Sequence, residues 1–392
     1  MSKKLIGAVA GLAAASLLMA ACSSSSEEST DAAASPEAAA SEAAPAEEAA
    51  PAEEVAEEAV AAGGKACVIL PDAASSARWE TADRPFLEQA FTAAGVEYDI
   101  QNANGDKAKF ATIADGMLAG GCGVLAIVNL DSETGSAVIA KATAAGVPVI
   151  DYDRLTLGGG AQYYVSFDNV AVGTTIGEGL VKCLNDAGIT EGPVAYLNGS
   201  PTDNNATLFK QGYAAALEAA GFTPAADQAV PDWDNTKAGT IFEQMYTEAN
   251  GDFVAVAAAN DGLGGAAIAV LDRNGQAGKI FVSGQDATDE GLQRVLLGTQ
   301  CMTVYKAVKK EAEAAAALAV ALLNGDQAAA DALATGTTTD STAGTEVPSV
   351  LLVPQAIYPE NVADVIADGF TTAEKVCATD EVAAKCAELG IQ

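Results

Sequence analysis

The sequence contains no histidine. That absence removes the commonest general base, the usual partner of a nucleophilic serine or cysteine, and the commonest metal ligand. Catalysis by carboxylates alone, as in glycosidases, remains open. The composition therefore weighs against an enzyme, and we expect neither a cofactor nor a metal.

Positive charge is scarce, because 20 Lys and Arg residues stand against 53 Asp and Glu residues, for a formal net charge of −33. A field of that sign repels phosphate groups. We therefore expect no nucleic-acid partner and a ligand that is neutral or cationic. Half of the 392 residues are hydrophobic, which is enough for a sizeable core in two domains.

The first 22 residues have the pattern of an export signal. Lys3 and Lys4 precede a run of apolar or small residues at 5–21, which is short for a membrane span. The run leads to Cys22 and resembles a bacterial lipobox, although Met19 stands where leucine is usual. We expect residues 1–22 to be a signal peptide and lipobox, with Cys22 lipidated and holding the protein on the outer face of the cytoplasmic membrane. A plain secretory signal with an incidental cysteine is the alternative.

Residues 23–64 consist mainly of Ala, Glu, Ser and Pro, with no basic and no aromatic residue. Such a segment has too little apolar surface to offset the entropy of ordering. The sequence predicts a disordered acidic tether here.

Six further cysteines follow the tether, and none of them forms a Cys-x-x-Cys motif. Outside the cytoplasm an even number favours disulfides, although six cysteines allow 15 pairings. Cys67 and Cys122 precede two strands that we expect to be neighbours, so this pair is predicted first. Cys377 with Cys386 is the second prediction.

From residue 65 onward, short apolar runs alternate with amphipathic stretches. The runs lie at 67–70, 124–128, 147–150, 194–197, 253–256 and 280–282. Continuous runs of this length suit parallel strands that are covered on both faces. The stretches between them include residues 85–94 and 138–145, and several end at a glycine, as helices commonly do. The alternation predicts an α/β fold with doubly wound parallel sheets.

Polar residues follow each of these runs. They are Asp72, Asn129, Asp151, Asp153, Asn198, Asn260, Asp261 and Asp286. Ligands of open parallel sheets bind beyond the carboxyl ends of the strands, so the positions suggest one cleft between two lobes. Asp and Asn are also preferred at helix N-termini, and we expect about half of them to be caps only.

Both tryptophans, Trp79 and Trp233, lie in loops, one in each half of the chain. The C–H face of a sugar ring packs on aromatic rings, while Asp, Asn and Arg bind its hydroxyls in pairs. The two indoles are therefore candidate stacking platforms, although a loop tryptophan can equally cover a core.

Eight segments, in order and at matching spacing, resemble the type I periplasmic sugar-binding proteins of ABC transporters. They are Arg78-Trp79, residues 101–105, 151–154, 164–169, 199–206, 260–266, 283–286 and 299–306. The resemblance implies two doubly wound parallel-sheet lobes joined by a three-crossing hinge. It also implies a monosaccharide ligand, with D-xylose first and glucose next.

Site roles carried over from this resemblance fall on ten residues. Trp79 and Trp233 would cover the two faces of the ring, Asp153 and Arg154 would bind adjacent hydroxyls, and Lys306 would lie near the hinge crossing. The remaining residues would approach the sugar from one lobe or the other. The full set is Arg78, Trp79, Asp153, Arg154, Asp203, Asn205, Trp233, Asn260, Asp286 and Lys306. The sequence departs from the family pattern at residues 71–74, where acidic residues are usual.

We expect an N-terminal lobe of residues 65–167 plus 306–348 and a C-terminal lobe of residues 168–305 plus 349–392. The expected partners are the membrane subunits of an ABC transporter and the membrane itself, through the lipid anchor, with the protein a monomer. Two other functions remain open: a sugar-sensing module for a membrane receptor, and a secreted glycosidase with Asp151 and Asp153 as candidate acids.

Overall fold

The computed structural model describes residues 63–391. The signal peptide, Cys22 and nearly all of the predicted tether lie outside these residues. Within the described part, no helix is both long enough and apolar enough to cross a membrane.

The strands of the described chain form three sheets. They are β1 Lys65–Leu70, β2 Tyr98–Asn102, β3 Cys122–Ile127, β4 Val149–Tyr152, β5 Tyr163–Phe167, β6 Gly192–Asn198, β7 Phe222–Ala229, β8 Ala255–Ala258, β9 Phe281–Val282, β10 Thr303–Tyr305, β11 Gly336–Asp340, β12 Thr345–Leu352 and β13 Gln355–Ile357.

Helices cover the sheets and fill the connections. They are α1 Arg84–Ala94, α2 Lys107–Ala119, α3 Ser132–Ala144, α4 Asn169–Asp186, α5 Asn204–Ala219, α6 Asn235–Glu248, α7 Asp261–Arg273, α8 Asp289–Leu297, α9 Val308–Leu323, α10 Gln327–Leu333, α11 Val362–Ala367, α12 Ala373–Val376 and α13 Asp380–Leu389. A π-helical turn, Trp79–Asp83, and a 3-10 turn, Pro231–Trp233, are important for the site.

The first sheet has seven strands in the order β11-β12-β5-β4-β3-β1-β2, and the second has four in the order β7-β6-β8-β9. All pairs in the four-stranded sheet are parallel. In the larger sheet β11 is antiparallel to β12, which itself lies parallel to β5. The predicted boundary at residue 348 falls within β12, because this strand stays paired with β5 as far as Leu352.

The chain leaves the seven-stranded sheet after β5, returns to it after β10 and leaves again after β12. The chain therefore makes three passages between the two larger sheets. Near the second and third of these passages, β10 and β13 pair as a separate two-stranded antiparallel sheet. The expected α/β architecture with two parallel-sheet lobes is confirmed by this topology.

Each sheet has its own apolar core. Central strands such as β3 and β8 are buried along nearly their whole length, which explains their continuous apolar sequence. Helix α9 packs over the larger sheet, while α4 and α5 pack on the smaller one. Removing this apolar surface from water is the main stabilising contribution to both halves.

Three disulfides link the described cysteines. Cys67–Cys122 joins β1 to β3, and Cys377–Cys386 joins the C-terminal end of α12 to α13, so both predicted pairs are present. The third bridge, Cys183–Cys301, ties α4 to the short segment between α8 and β10. This last pairing was not predicted.

Candidate functional site

All ten residues predicted for the site line one cavity between the carboxyl ends of the two parallel sheets. The cavity, together with the solvent space at its mouth, has about 330 Å³ of atom-free space. Its lining comprises Ser75, Ser76, Arg78, Trp79, Asp153, Arg154, Asp203, Asn205, Phe209, Trp233, Asn260, Gln285, Asp286 and Lys306. Residues from the first, middle and last thirds of the chain therefore meet at one place.

The parallel topology explains this convergence. Asp153 comes directly after β4, and Asp286 comes shortly after β9. Asp203 and Asn260 cap α5 and α7, the helices that follow β6 and β8. Because all these strands end at the same edge of their sheets, their trailing residues face a common space. Lys306 reaches it from the chain passage after β10.

Some strand-end polar residues serve only the fold, although these do so within loops and strands rather than as the expected helix caps. Asn129 donates to the carbonyl oxygen of Arg154 and to Thr156 rather than to the cavity. Asn198 donates to Asp227 and to a backbone carbonyl. Asn260 serves both the fold and the site: its side-chain oxygen caps α7, and the residue also lines the cavity.

Arg78 is the centre of a buried ionic network. Its side chain is only 2% exposed. Nε and Nη2 donate to Asp83 at 3.0 and 3.1 Å, and Nη2 also donates to Asp153 at 2.8 Å. Nη2 lies 3.3 Å from Glu311 Oε2, and Nη1 lies 3.8 Å from Asp286 Oδ1.

Asp153 stays ionised inside this network. Burial alone would raise its pKa, but the charges of Arg78, Lys306 and Arg154 outweigh that effect and hold the pKa well below its usual range. Lys306 Nζ lies 3.3 Å from Asp153 Oδ2 and 3.6 Å from Asp286 Oδ1. The carboxylate is therefore a charged hydrogen-bond acceptor at the cavity wall.

Two buried donors at the wall have no aligned partner among residues 63–391: Arg78 Nη1 and Arg154 Nε. Arg154 Nε lies 2.9 Å from Asp203 Oδ2, yet the N–H does not point at that oxygen. A buried donor without an acceptor is costly. Both groups are thus available to the oxygen atoms of a ligand.

The backbone around the cavity is strained. Within the described chain, five of the seven non-glycine residues with positive φ line the cavity or adjoin a residue that does: Asp153 at 61°, Asp232 at 61°, Trp233 at 55°, Asp286 at 96° and Ala287 at 50°. Each such residue costs on the order of 1–3 kcal/mol. Strain of this kind concentrates at binding sites, where an unfavourable backbone conformation is kept because it directs the side chain towards the ligand.

Apolar walls are provided by three aromatic rings. Trp233 donates from Nε1 to Asp203 at 3.0 Å and packs edge to face on Phe209. Gly199 lies against this indole so closely that a Cβ there would sit 2.0 Å from it. Trp79 donates to Ser75, and the Arg78 guanidinium lies 4.3 Å from the centre of its ring.

Contacts across the cavity join the two halves. Asn205 Nδ2 donates to the Asp153 carbonyl at 2.8 Å, and the Ser76 hydroxyl donates to Asp286 at 3.0 Å. The Asn260 amide reaches the Ser75 carbonyl at 3.4 Å. The described conformation is therefore closed over the cavity.

Four lining residues were not predicted. Gln285 lies inside a segment that carried the family resemblance, beside the chosen Asp286, and Ser75 and Ser76 shortly precede Arg78. Phe209 belongs to the buried face of α5, where the helical pattern alone indicates core. Asp83 and Glu311 were also missed, because they contact Arg78 on the side away from the cavity and do not line it.

The carboxylate pair suggested for a glycosidase is not formed at the cavity. Asp151 is fully buried and accepts hydrogen bonds from the Thr156 backbone and hydroxyl, at 2.7 Å each. Of the two candidates only Asp153 lines the cavity. Among the described residues, no group of three or more Cys, Asp or Glu side chains is arranged to hold a metal ion.

Comparisons with known proteins identify the family of this chain. A model of the family described as periplasmic binding protein domain matches residues 66–327. The D-xylose-binding periplasmic protein of Escherichia coli K12 is 35% identical over 298 residues, covering 75% of this chain and 87% of the relative. Its namesake from Haemophilus influenzae is 35% identical over 305 residues, covering 76% and 88%.

A solved carbohydrate-transporter solute-binding protein from Chloroflexus aurantiacus, in complex with D-glucose, superposes with a TM-score of 0.70 at 29% identity. The match covers 79% of this chain and 97% of that protein. These relatives are binding proteins rather than enzymes, so the expectation of a non-enzymatic protein is confirmed, as is the resemblance to type I periplasmic sugar-binding proteins. The chain belongs to the family of periplasmic binding protein domains.

Proposed function

We propose that the protein binds one uncharged monosaccharide in the cavity and delivers it to the membrane subunits of an ABC importer. The observation that carries this proposal is the balanced, hydrogen-bonding lining. Three cationic and three anionic side chains face the same small space: Arg78, Arg154, Lys306, Asp153, Asp203 and Asp286. A neutral ligand leaves that balance undisturbed, whereas a charged ligand would leave one charge buried and unpaired.

Sugar hydroxyls suit this lining because each hydroxyl both donates and accepts. The carboxylate oxygens of Asp153 and Asp286 accept from hydroxyls, while Arg78 Nη1 and Arg154 Nε donate to oxygen atoms. The indoles Trp79 and Trp233 offer apolar surface to the C–H faces of the ring. The small volume suits one ring rather than a chain of rings.

We propose D-xylose as the preferred ligand and D-glucose as the next. Support comes from two relatives named for D-xylose binding, each 35% identical to this chain. The Chloroflexus aurantiacus protein, which holds D-glucose, keeps glucose as the second candidate.

Ligand contacts from both sheets would stabilise the closed form over an open one. Asp153 and Arg154 belong to the half built on the seven-stranded sheet, and Asp203 and Asp286 to the other. A hinge motion along the three chain passages, next to the β10–β13 pair, would open and close the cavity. The closed shape is the form that a transporter would recognise.

We propose that the protein works as a monomer on the outer face of the cytoplasmic membrane, held by lipid on Cys22 through the acidic tether of residues 23–64. The lipobox-like sequence before Cys22 supports the anchor. Mass spectrometry of the membrane fraction tests it: diacylglyceryl mass on an N-terminal Cys22 is expected, and an unmodified Cys22 would contradict it.

Isothermal titration calorimetry with a panel of pentoses and hexoses tests sugar binding. We expect one site per chain, with D-xylose bound most tightly. Trp233→Ala and Asp286→Ala should each weaken binding at least about tenfold, the scale of one charged hydrogen bond or one lost stacking face. Asp115→Ala, which removes an exposed ion pair to Lys141, serves as the control. Unchanged affinity in both cavity variants would reject the site.

A further inference from the structure

The hydrogen-bonding groups of Arg78 are unevenly used. A guanidinium carries two N–H groups on each terminal nitrogen and one on Nε. Three carboxylate oxygens surround Nη2, from Asp83, Asp153 and Glu311, at 3.1, 2.8 and 3.3 Å. Nη1, by contrast, has no hydrogen-bond partner within residues 63–391: Asp286 Oδ1 lies 3.8 Å away, beyond hydrogen-bond distance, and both residues line the cavity. One nitrogen is crowded with acceptors while the other is left for a ligand.

Two of these acids lie behind Arg78 and do not touch the cavity. The side chains of Asp83 and Glu311 are both 0% exposed. Asp83 ends the π-helical turn that starts at Trp79, and it receives a hydrogen bond from the Tyr152 hydroxyl at 2.8 Å. That bond fixes the plane of the carboxylate, whose two oxygens accept hydrogen bonds from Nε and Nη2 of Arg78 in a bidentate arrangement.

Glu311 approaches from the first turn of α9, more than 200 residues further along the chain. Its Oε1 is buried and has no hydrogen-bond partner in the described part of the protein. Burial raises the pKa of Glu311 well above its ordinary value, with the negative charge of Asp153 adding to the shift and Arg78 opposing it. A buried acid with an unused oxygen is a poor stabiliser of the fold.

We infer that Asp83 and Glu311 are positioning residues, which hold the Arg78 guanidinium so that Nη1 faces the ring hydroxyls of the ligand. The inference rests on the proposed function, because it concerns the same cavity. Asp83 sets the plane of the guanidinium through two parallel hydrogen bonds. Glu311 occupies the remaining side of Nη2 and blocks rotation of that nitrogen towards α9.

Calorimetric titration of the full chain with D-xylose tests the inference, with thermal unfolding followed on the same samples. Glu311→Leu removes the contact while keeping a buried side chain of similar size. We expect binding to weaken about tenfold, the loss expected when one charged hydrogen bond is misdirected. The unfolding temperature should stay the same or rise, because an unpaired buried polar group is replaced by an apolar one.

Two further variants separate positioning from structure. Glu311→Gln keeps an acceptor of the same shape and should restore affinity to within about threefold of the unaltered protein. Asp83→Asn should weaken binding in the same direction as Glu311→Leu. Glu80→Gln is the matched control, because Glu80 shares the helical turn of Asp83 but pairs with Arg84 and Asn102.

Deoxy sugars supply the decisive readout. The monodeoxy-xylose whose affinity is least reduced by Arg78→Lys identifies the hydroxyl that Arg78 binds. That same analogue should also be the least sensitive to Glu311→Leu, since the two effects act through one hydrogen bond. An equal loss for all analogues together with a lower unfolding temperature, or no loss at all, would overturn the inference.

The unaltered protein separates this inference from the proposed function. If it binds none of the sugars, the proposed function fails and the positioning role falls with it. If it binds D-xylose, and Glu311→Leu and Asp83→Asn bind equally well, only the positioning role is refuted.

Discussion

Gly199→Ala should weaken sugar binding without unfolding the protein. A Cβ at this position would lie 2.0, 2.2 and 2.5 Å from three carbons of the Trp233 benzo ring. Restoring an ordinary contact of 3.4 Å from 2.0 Å requires a shift of about 1.4 Å. The glycine backbone does not have a positive φ, so the substitution acts through the indole rather than through backbone strain.

The shift moves the indole away from its present place beside Asp203 and Phe209. The Nε1 hydrogen bond to Asp203 is 3.0 Å long and does not survive a displacement of that size. A hydrogen bond to a charged group is worth about 1.5–3 kcal/mol, which corresponds to about 10- to 150-fold in affinity. We expect a loss within this range for D-xylose, measured by calorimetric titration.

Gly239→Ala is the matched control, because this glycine lies in α6 and an added Cβ there meets nothing within 4 Å. It should leave affinity unchanged and stabilise the helix by about 0.5–1 kcal/mol. Combining Gly199→Ala with Trp233→Phe should cost less than the sum of the two single changes, since phenylalanine lacks the clashing ring. Full additivity, or unchanged affinity in Gly199→Ala, would refute the reasoning.

Further predictions concern stability. Burial raises the pKa of Asp151 to about 7 and that of Asp261 to about 6. Between about pH 4 and pH 7 these two carboxyl groups therefore hold more protons in the folded protein than in the unfolded chain. The free energy of unfolding should fall as the pH rises through that window. Urea titrations across the window should show a shallower fall for Asp151→Asn, and an identical slope would contradict the assignment. Removing Cys183–Cys301 should destabilise the protein more than removing Cys377–Cys386, because the first bridge closes a loop of 118 residues and the second a loop of nine. The difference in loop-closure entropy corresponds to about 2 kcal/mol in the free energy of unfolding. Paired Cys→Ser variants compared by urea unfolding test that order, and the reverse order would contradict it.

The sequence predicted the buried central strands better than the exposed strands at the edges of the sheets. Each of the six apolar runs overlaps a strand, and five of these strands are central in their sheets, where both faces are covered and apolar residues are needed throughout. The edge strands β2 and β7 are largely exposed and carry no such run. The hairpin of β11 and β12 is threonine-rich and antiparallel, so the strand–helix alternation gave no sign of it.

The site was predictable where topology and resemblance acted together. Parallel strands bring their trailing residues to one edge, so Asp153, Asn260 and Asp286 could be grouped without coordinates. The same reasoning could not separate them from Asn129 and Asn198, whose hydrogen bonds stay within the fold. That distinction depends on side-chain direction, which strand order does not fix.

Glu311 illustrates what stays hidden from sequence. It lies in a helix whose apolar pattern indicates core, and its partner Arg78 is 233 residues away. Only the packing of α9 beneath the cavity brings them together. Buried ionic networks of this kind depend on long-range geometry and leave no local pattern in the chain.

A crystal structure of the protein grown with D-xylose is the most direct test of the central claim. We expect one pyranose ring between the two indoles, with Asp153 and Asp286 accepting from its hydroxyls and Arg78 Nη1 donating to one of its oxygens. A ring bound elsewhere, or one that leaves these three groups without a ligand contact, would contradict the account.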